Sequence, residues 1–275
     1  MIQLFNYIDK VSPIHRLTGA SKLACMLCWV LAAMVTFDTR YLIVLTVFAL
    51  ALFRVSKIKV SEVKVILIFS LVFLFMNNLL IYLFSPEHGV SLYGSRTVLL
   101  AITNRYSITA QQLLYHANVV LKYTATIPVV ILFVSTTQPS EFAASLNKIG
   151  VSYKISYSVS LALRYIPDVV DEYHSISLAQ QARGVELSGK ENLIKRLKGA
   201  TAILMPLILS SMDRIEVVSN AMELRCFGKN PKRTWYRERK FTPLDYGTIV
   251  LGFVMIAISL GLQAVNGGRY WNPFI

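Results

Sequence analysis

The residues from Val65 to Phe84 read VILIFSLVFLFMNNLLIYLF, a run of 20 residues without a charged side chain. About 20 apolar residues in a helix are enough to span the roughly 30 Å hydrocarbon core of a bilayer. The run therefore predicts a transmembrane helix, and it decides the class of the fold.

The composition of the whole chain supports the same class. Of its 275 residues, 55% are hydrophobic and 16% are charged, against roughly 25% charged in an ordinary soluble domain. The mean hydropathy is +0.53. A soluble protein so poor in charge could not cover its own surface, and disordered, collagen-like and coiled-coil chains have different compositions. We therefore expect an all-α, polytopic membrane protein.

Four further apolar runs extend over Leu23–Phe37, Tyr41–Phe53, Ala117–Thr136 and Tyr246–Ala264. They bring the prediction to about five transmembrane helices, with room for a sixth. The first two runs are short, so we expect the flanking Lys22 and Arg54 to reach the membrane interface, and Lys122 within a later run to do the same. Loose alternation between Gly89 and Thr109, with a Gly-Ser turn, predicts a short external β-hairpin.

Basic residues set the predicted orientation. The chain has 28 Lys and Arg against 15 Asp and Glu, a net charge of +13. Lys and Arg collect on cytoplasmic loops of membrane proteins, so the excess does not call for a nucleic-acid partner. The segment 137–242 alone holds 16 of the 28 basic residues. With five crossings, a cytoplasmic N-terminus places every basic loop inside and the C-terminus outside.

Three segments follow: 1–136 with four transmembrane helices, 137–242 as a cytoplasmic or interfacial domain, and 243–275 with the last transmembrane helix and an external C-terminus. The middle segment is too polar to cross and too apolar to be an ordinary soluble domain. Two stretches in it pass through Pro167 and Pro206 into stripes with helical spacing. Their apolar members are Val169, Tyr173, Ile176 and Ala179 in one, and Ile208, Met212, Ile215, Val218 and Met222 in the other.

Each stripe is followed by an arginine. Arg183 and Arg225 lie 42 residues apart, and each is expected in the last turn of a helix, where a cation suits the negative end of the dipole. A glycine follows each as a predicted C-cap, Gly184 in one case and Gly228 in the other. Ordinary helix termination accounts for one such arginine, but two copies favour docking to a partner's carboxylates or helix-end carbonyls.

Other patterns do not support catalysis. Gly184 to Lys190 fits the start of a phosphate-binding P-loop, but Glu191 replaces the magnesium-binding hydroxyl and a helix precedes the glycine. Cys25 and Cys28 have redox spacing but lie inside an apolar run, where core packing explains them. The remaining polar groups fit ordinary structural roles: four scattered histidines, Asp168 and Asp171 on a solvated face, and Asn77-Asn78 as a helix–helix contact. No cofactor, metal or catalytic residue is predicted.

Three stretches in order resemble the transmembrane T component of energy-coupling factor (ECF) transporters, the EcfT/CbiQ family. Ser135-Thr136-Thr137-Gln138-Pro139 with Glu141 to Leu146 is similar to the first coupling helix. Leu163 to Pro167, running to Ala182-Arg183-Gly184, is similar to the second. Arg214 to Glu216, running to Ala221-Met222-Glu223-Leu224-Arg225-Cys226-Phe227-Gly228, is similar to the third, although Leu224 and Cys226 replace the usual Ala and Gly.

The resemblance implies a non-catalytic scaffold in a bacterial plasma membrane. Such a T component joins two ABC ATPases, identical or different, to a membrane-embedded S component that binds a vitamin, metal ion or similar micronutrient. It implies ATPase coupling through Arg183 and Arg225, with Ala182, Gly184, Leu224 and Cys226 around them, and turns or helix entries at Pro139 and Pro167. The partners are then these subunits and the lipid bilayer, without nucleic acid.

Two other classes of protein stay open. A free-standing secondary transporter or intramembrane enzyme predicts inverted repeats, broken helices and ionisable groups within the spans, and only Lys122 fits that description. A membrane anchor for an unrelated complex would share the arginines at the helix ends. Co-purification with two ATPases and a small hydrophobic membrane protein separates the scaffold from both.

Overall fold

The computed structural model describes residues 10, 12–101, 106–185, 193–230, 234–235 and 239–274, without the side chains of residues 101 and 193–196. Two compact units divide the chain, one of residues 1–138 with 239–275 and one of residues 139–238. The borders lie close to those of the predicted segments. The first and last segments form one unit, because their helices pack together.

The first unit contains most of the helices. They are α1 (Pro13–Arg16), α2 (Gly19–Val35), α3 (Thr39–Val55), α4 (Val60–Phe84), α5 (His88–Tyr93), α6 (Ala110–Thr136) and α10 (Pro243–Val265). The second unit contains α7 (Pro139–Lys148), α8 (Tyr153–Ala182) and α9 (Leu193–Leu224).

The five predicted apolar runs lie in α2, α3, α4, α6 and α10, which confirms an all-α polytopic membrane protein. Among the described residues, α4, α6 and α10 are long and apolar enough to cross a bilayer on their own, with 25, 27 and 23 residues. Helices α2 and α3 have 17 residues each, about 26 Å at 1.5 Å per residue. Asp38 accepts a hydrogen bond from the Arg40 backbone and so starts α3 directly after α2.

The predicted β-hairpin is confirmed only in its second half. Strand β1 (Val98–Ala101) pairs antiparallel with β2 (Ser107–Thr109). Gly89, predicted to lie in the hairpin, belongs to α5 instead. A Cβ on Gly89 would lie 2.6 Å from the backbone oxygen of Gln111, so the glycine is required for close contact with α6. The Gly-Ser turn ends α5, where Gly94 has a φ of +69°.

Small residues let the membrane helices pack closely around an indole ring. The core consists of Trp29, Ala32, Ala33, Tyr41, Leu45, Ala49, Ala125, Val129 and Met255. The Trp29 indole donates a 3.0 Å hydrogen bond to the carbonyl of Ala125. This carbonyl lies next to the one that Pro128 leaves without its usual helix donor. The indole therefore satisfies backbone polarity where proline loosens the α6 ladder.

The two lysines predicted to reach the membrane interface are buried within the first unit. Lys22 and Lys122 are each 7% exposed, so both side chains are enclosed by the protein. Lys22 donates to the carbonyl of Thr136, at 2.9 Å, and Lys122 to that of Met34, at 3.0 Å. Helices α2 and α6 run antiparallel, so each lysine reaches the C-terminal turn of the other helix, where carbonyls lack helix partners.

A buried carboxylate links the N-terminal ends of α2 and α10 through hydrogen bonds. Asp245 is fully buried and accepts five hydrogen bonds. The donors are the backbone and hydroxyl of Thr18, the hydroxyl of Ser21, and the backbone and hydroxyl of Thr242. The carboxylate thus satisfies donors at the starts of both helices. Between α4 and α6, Asn78 contacts His116 at 2.9 Å, which confirms the predicted helix–helix contact for this asparagine.

Candidate functional site at the ends of α8 and α9

The second unit begins with a short amphipathic helix. Helix α6 ends at Thr136, Thr137 is extended, and Pro139 is the first residue of α7. Proline suits a first helical position because its missing N–H would have no helix acceptor there. Glu141, Ala143 and other residues of α7 are buried. The Thr-Thr-x-Pro turn therefore starts a new helix at Pro139.

Pro167 does not begin a helix. It lies in the interior of α8, a helix of 30 residues, and Pro206 lies in the same way inside α9. Helix α8 instead begins at Tyr153, after the N-cap residue Ser152, whose hydroxyl accepts from the backbone of Ile155. The prediction of a helix entry at Pro167 is therefore wrong. The physical reason is that a helix continues through proline when its neighbours compensate the single lost hydrogen bond.

Helices α8 and α9 pack as an antiparallel pair. Phe227, just past the end of α9, lies against Tyr153 and Tyr157 near the start of α8, with ring centroids 5.6 and 4.8 Å apart. Farther along, Arg214 of α9 pairs with Glu172 of α8. The C-terminal ends of the two helices therefore lie at opposite ends of the pair.

Helix α8 ends in a Schellman motif at the first candidate arginine. Arg183 is the C-cap residue, and Gly184 follows with a φ of +85°. The Gly184 amide donates to Gln181, and the Val185 amide to Gln180, each at 3.0 Å. This is the hydrogen-bond pattern that satisfies the last carbonyls of a helix. Gly184 is thus a C-cap glycine.

Helix α9 ends in the same motif, but with a cysteine in the left-handed position. Cys226 follows Arg225 with a φ of +53°. Its amide donates to Glu223, and the Phe227 amide to Met222, each at 2.9 Å. The predicted glycine cap is therefore wrong for this helix, because Cys226 takes the left-handed position and Gly228 lies two residues beyond it. Cys226 thus holds the place that Gly184 holds in α8.

All the candidate residues at the two ends are exposed. Ala182, Arg183 and Gly184 lie on the surface at one end. At the other end Arg225 and Cys226 are exposed, and Leu224 is 86% exposed. The structure does not bring the two arginines together, so they form two separate sites on one helix pair.

An apolar groove runs between α8 and α9. It encloses a cavity of about 410 Å³ lined by Leu161, Tyr165, Val169, Ser211, Arg214, Ile215, Val218, Ser219 and Met222. Four of the predicted stripe residues are therefore in its wall. Others remain on the surface: Met212 is 61% exposed and Ile208 51%. The pair thus presents apolar side chains that the described part of the second unit leaves exposed.

One polar cluster in the groove was missed by the sequence analysis. Arg214 donates to Glu172 at 2.9 Å and lies 3.9 Å from the carboxylate of Asp168. The Ser210 hydroxyl donates to the second oxygen of Glu172, and the guanidinium lies over the Tyr165 ring, 5.8 Å from its centroid. Asp168, predicted to be a solvated residue, thus has a cationic neighbour. The sequence carries one signal for this cluster: Glu172 lies 11 residues before Arg183, and Arg214 lies 11 residues before Arg225.

The described residues contain no group of three or more His, Cys, Asp or Glu side chains placed to hold a metal ion. Cys25 and Cys28 lie in α2, where Cys28 is buried and faces Gly252 of α10. Gly184 follows a helix, whereas a P-loop glycine follows a strand. Lys190 and Glu191 lie outside the described residues.

Comparison with known proteins gives one family. The family model described as CbiQ, cobalt transport protein, matches residues 10–236.

Individual relatives match over nearly their whole length. The chain is 28% identical to the energy-coupling factor transporter transmembrane protein EcfT of Exiguobacterium sibiricum, covering 95% of this chain and 98% of the relative. It is also 28% identical to the proteins of that name from Lactococcus lactis subsp. cremoris, covering 92% and 94%, and Staphylococcus aureus, covering 95% and 96%.

Proposed function

Because the chain belongs to the CbiQ family and is the transmembrane T component of an energy-coupling factor transporter, we propose that it is the scaffold that couples two ABC ATPases to a separate S component. ATP-driven movement of the ATPases displaces α8 and α9, and these helices move the S component. The cargo is a vitamin, metal ion or similar micronutrient bound by the S component.

One observation carries the proposal. Arg183 and Arg225 are held by the same helix-ending motif at opposite ends of an antiparallel helix pair. Each is exposed, and each adds its charge to the negative end of a helix. This arrangement provides two equivalent contacts on one element, as a pair of similar ATPases requires. An Arg guanidinium in such a contact binds carboxylates or helix-end carbonyls with defined geometry.

The apolar groove supports the proposed contact with the S component. A soluble helix pair would expose charged residues where this one exposes Ile208, Met212 and Ile215. An apolar surface beside a membrane fits another membrane protein, and the S component is the proposed occupant.

The catalytic work belongs to the partners in this proposal. The family is one of non-catalytic transport components, and we place ATP hydrolysis in the two ATPases. We also propose a bacterial plasma membrane location with several crossings and a cytoplasmic N-terminus, because the basic segments then lie inside.

Co-purification tests the proposal. The tagged chain, expressed with its cellular partners, should be recovered with two ATPase subunits and a small hydrophobic membrane protein. The double variant Arg183→Ala/Arg225→Ala should lose the ATPases by at least about tenfold in affinity, since removing one partner of a buried charged contact costs about 2–5 kcal/mol. Lys198→Ala, which removes an exposed charge from α9, is the matched control. Wild-type recovery of the ATPases by the double variant would refute the proposed contacts.

A further inference from the structure

The ion pair between Glu172 and Arg214 occupies the same position relative to both terminal arginines. Glu172 precedes Arg183 by 11 residues, and Arg214 precedes Arg225 by 11 residues. Eleven residues are about three helical turns, so each member of the pair lies on the same face as its arginine, about 16 Å along the axis. The two arginines are therefore equally far from the ion pair, on opposite sides of it.

Further contacts around Glu172 and Arg214 restrict the geometry of this ion pair more than the ion pair alone would. Glu172 uses one oxygen for Arg214 and the other for the Ser210 hydroxyl, both on α9. Arg214 also lies near a second carboxylate, that of Asp168, and over the Tyr165 ring, both on α8. The side chains of Arg214 and Glu172 are 35% and 20% exposed, so both are partly shielded from water. Each helix thus holds the other through more than one group.

The polar contacts of this cluster differ in kind from the apolar contacts in the rest of the groove. Apolar contacts are not directional, so two helices joined by them alone are free to slide or rotate by small steps. Charge-assisted hydrogen bonds prefer short distances and defined angles, and they fix one register. The cavity begins beside Arg214 and continues toward the end of α9 with mostly apolar lining. Among the described residues beside the cavity, the ion pair supplies directional contacts between the two helices.

We propose that Glu172 and Arg214 are positioning residues that act as the pivot of the α8–α9 pair. The inference rests on the proposed function, in which each arginine binds one ATPase. A displacement of one arginine then passes through the pivot to the other helix, and the groove between them opens or closes as a unit. Without the pivot the ATPases still bind and hydrolyse ATP, but the helices no longer move together.

The test uses the whole transporter in liposomes, with Glu172→Gln, Arg214→Gln and the charge exchange Glu172→Arg/Arg214→Glu. Three quantities are measured: ATPase subunits bound, ATP hydrolysis, and substrate taken up per ATP. Each single variant should keep its ATPases and hydrolysis but lose about fivefold or more of its uptake per ATP, a common size for coupling between sites. The exchange variant should recover a large part of that loss. Asp171→Asn, which neutralises the adjacent exposed carboxylate of α8, is the control.

Two outcomes would overturn the inference. Wild-type uptake per ATP in both single variants would show that the ion pair transmits nothing. Loss of bound ATPase in the single variants would show that the pair maintains the fold rather than the register. Neither outcome is the failure of the proposed function, which appears instead as normal ATPase binding by the Arg183→Ala/Arg225→Ala variant.

Discussion

Gly184 and Cys226 hold the same position in the turns that end α8 and α9, one residue after an arginine in each case. Both are left-handed, with φ of +85° and +53°. A glycine adopts this conformation without steric cost, whereas a residue with a Cβ loses roughly 1–2 kcal/mol there. The same turn geometry therefore holds both arginines. Its backbone is without strain at Gly184 and strained at Cys226.

Replacing the strained residue should stabilise the protein. Cys226→Gly relieves the left-handed strain, partly offset by the greater freedom of glycine in the unfolded chain, for a net gain of up to about 1 kcal/mol. Thermal unfolding of the purified protein in detergent measures this gain. Cys226→Val, with a β-branched side chain, should lower the unfolding temperature, and the opposite order of the two variants would contradict the strain.

At the equivalent position in α8, Gly184→Val should reduce ATP-dependent uptake. Valine resists the left-handed conformation, so the turn shifts and moves Arg183. Lys190→Ala should leave uptake nearly unchanged, because Glu191 stands where a P-loop needs its magnesium-binding hydroxyl. The isolated chain should bind ATP no better than background. If Lys190→Ala abolished uptake while Gly184→Val was tolerated, the P-loop interpretation would return.

Membrane orientation is measurable with an impermeant maleimide in a cysteine-free background. Gly89 is a poor labelling position because a Cβ there would meet the backbone of α6. Ser91→Cys, at an exposed position of α5, and Lys198→Cys, at an exposed position of α9, are better placed. The two should label from opposite sides of the membrane. Labelling of both from outside would exclude a cytoplasmic second unit.

Lys122→Met should destabilise the membrane unit. The methionine fills the same space but leaves the Met34 carbonyl without its donor, which costs about 1–3 kcal/mol. Unfolding in detergent with increasing denaturant measures the loss. Arg54→Met at an exposed position is the control, and equal stability of the two variants would mean that the buried contact contributes nothing.

Asp38 should make stability depend on pH. Burial alone would raise the pKa of this carboxyl, but hydrogen bonds from Arg40 and Asn266 outweigh it and hold the pKa below its usual range. A lowered carboxyl pKa contributes stability above the ordinary value of about 3.9, and that stability is lost as the pH falls through the lowered value. Asp38→Asn should therefore unfold at a lower temperature than the wild type at pH 7. The difference should shrink below about pH 4, and a constant difference would contradict the role of ionised Asp38.

The sequence predicted what depends on local pattern and missed what depends on packing between distant segments. The lengths of the apolar runs predicted the positions of the membrane helices, and the spacing of the apolar stripes predicted α8 and α9. The roles of Lys22 and Lys122 depend on the antiparallel contact of α2 with α6, which no local pattern contains. The Glu172–Arg214 pair likewise depends on the register between α8 and α9, which brings together two residues 42 positions apart in sequence. The alternation around Gly89 predicts a strand where α5 forms, and the contact of Gly89 with α6 is also between segments distant in sequence.

The carboxylate of Asp245 is surrounded by hydroxyl and backbone donors rather than by an opposing cation. Dissolved ions weaken the interactions between exposed charges, with a screening length of about 10 Å at 0.1 M salt, but they do not enter a fully buried site. The exposed Lys10–Glu62 pair should therefore weaken as salt rises, while the junction of α2 and α10 keeps its strength. A change of ionic strength on either side of the membrane should thus leave the joint between α2 and α10 unchanged.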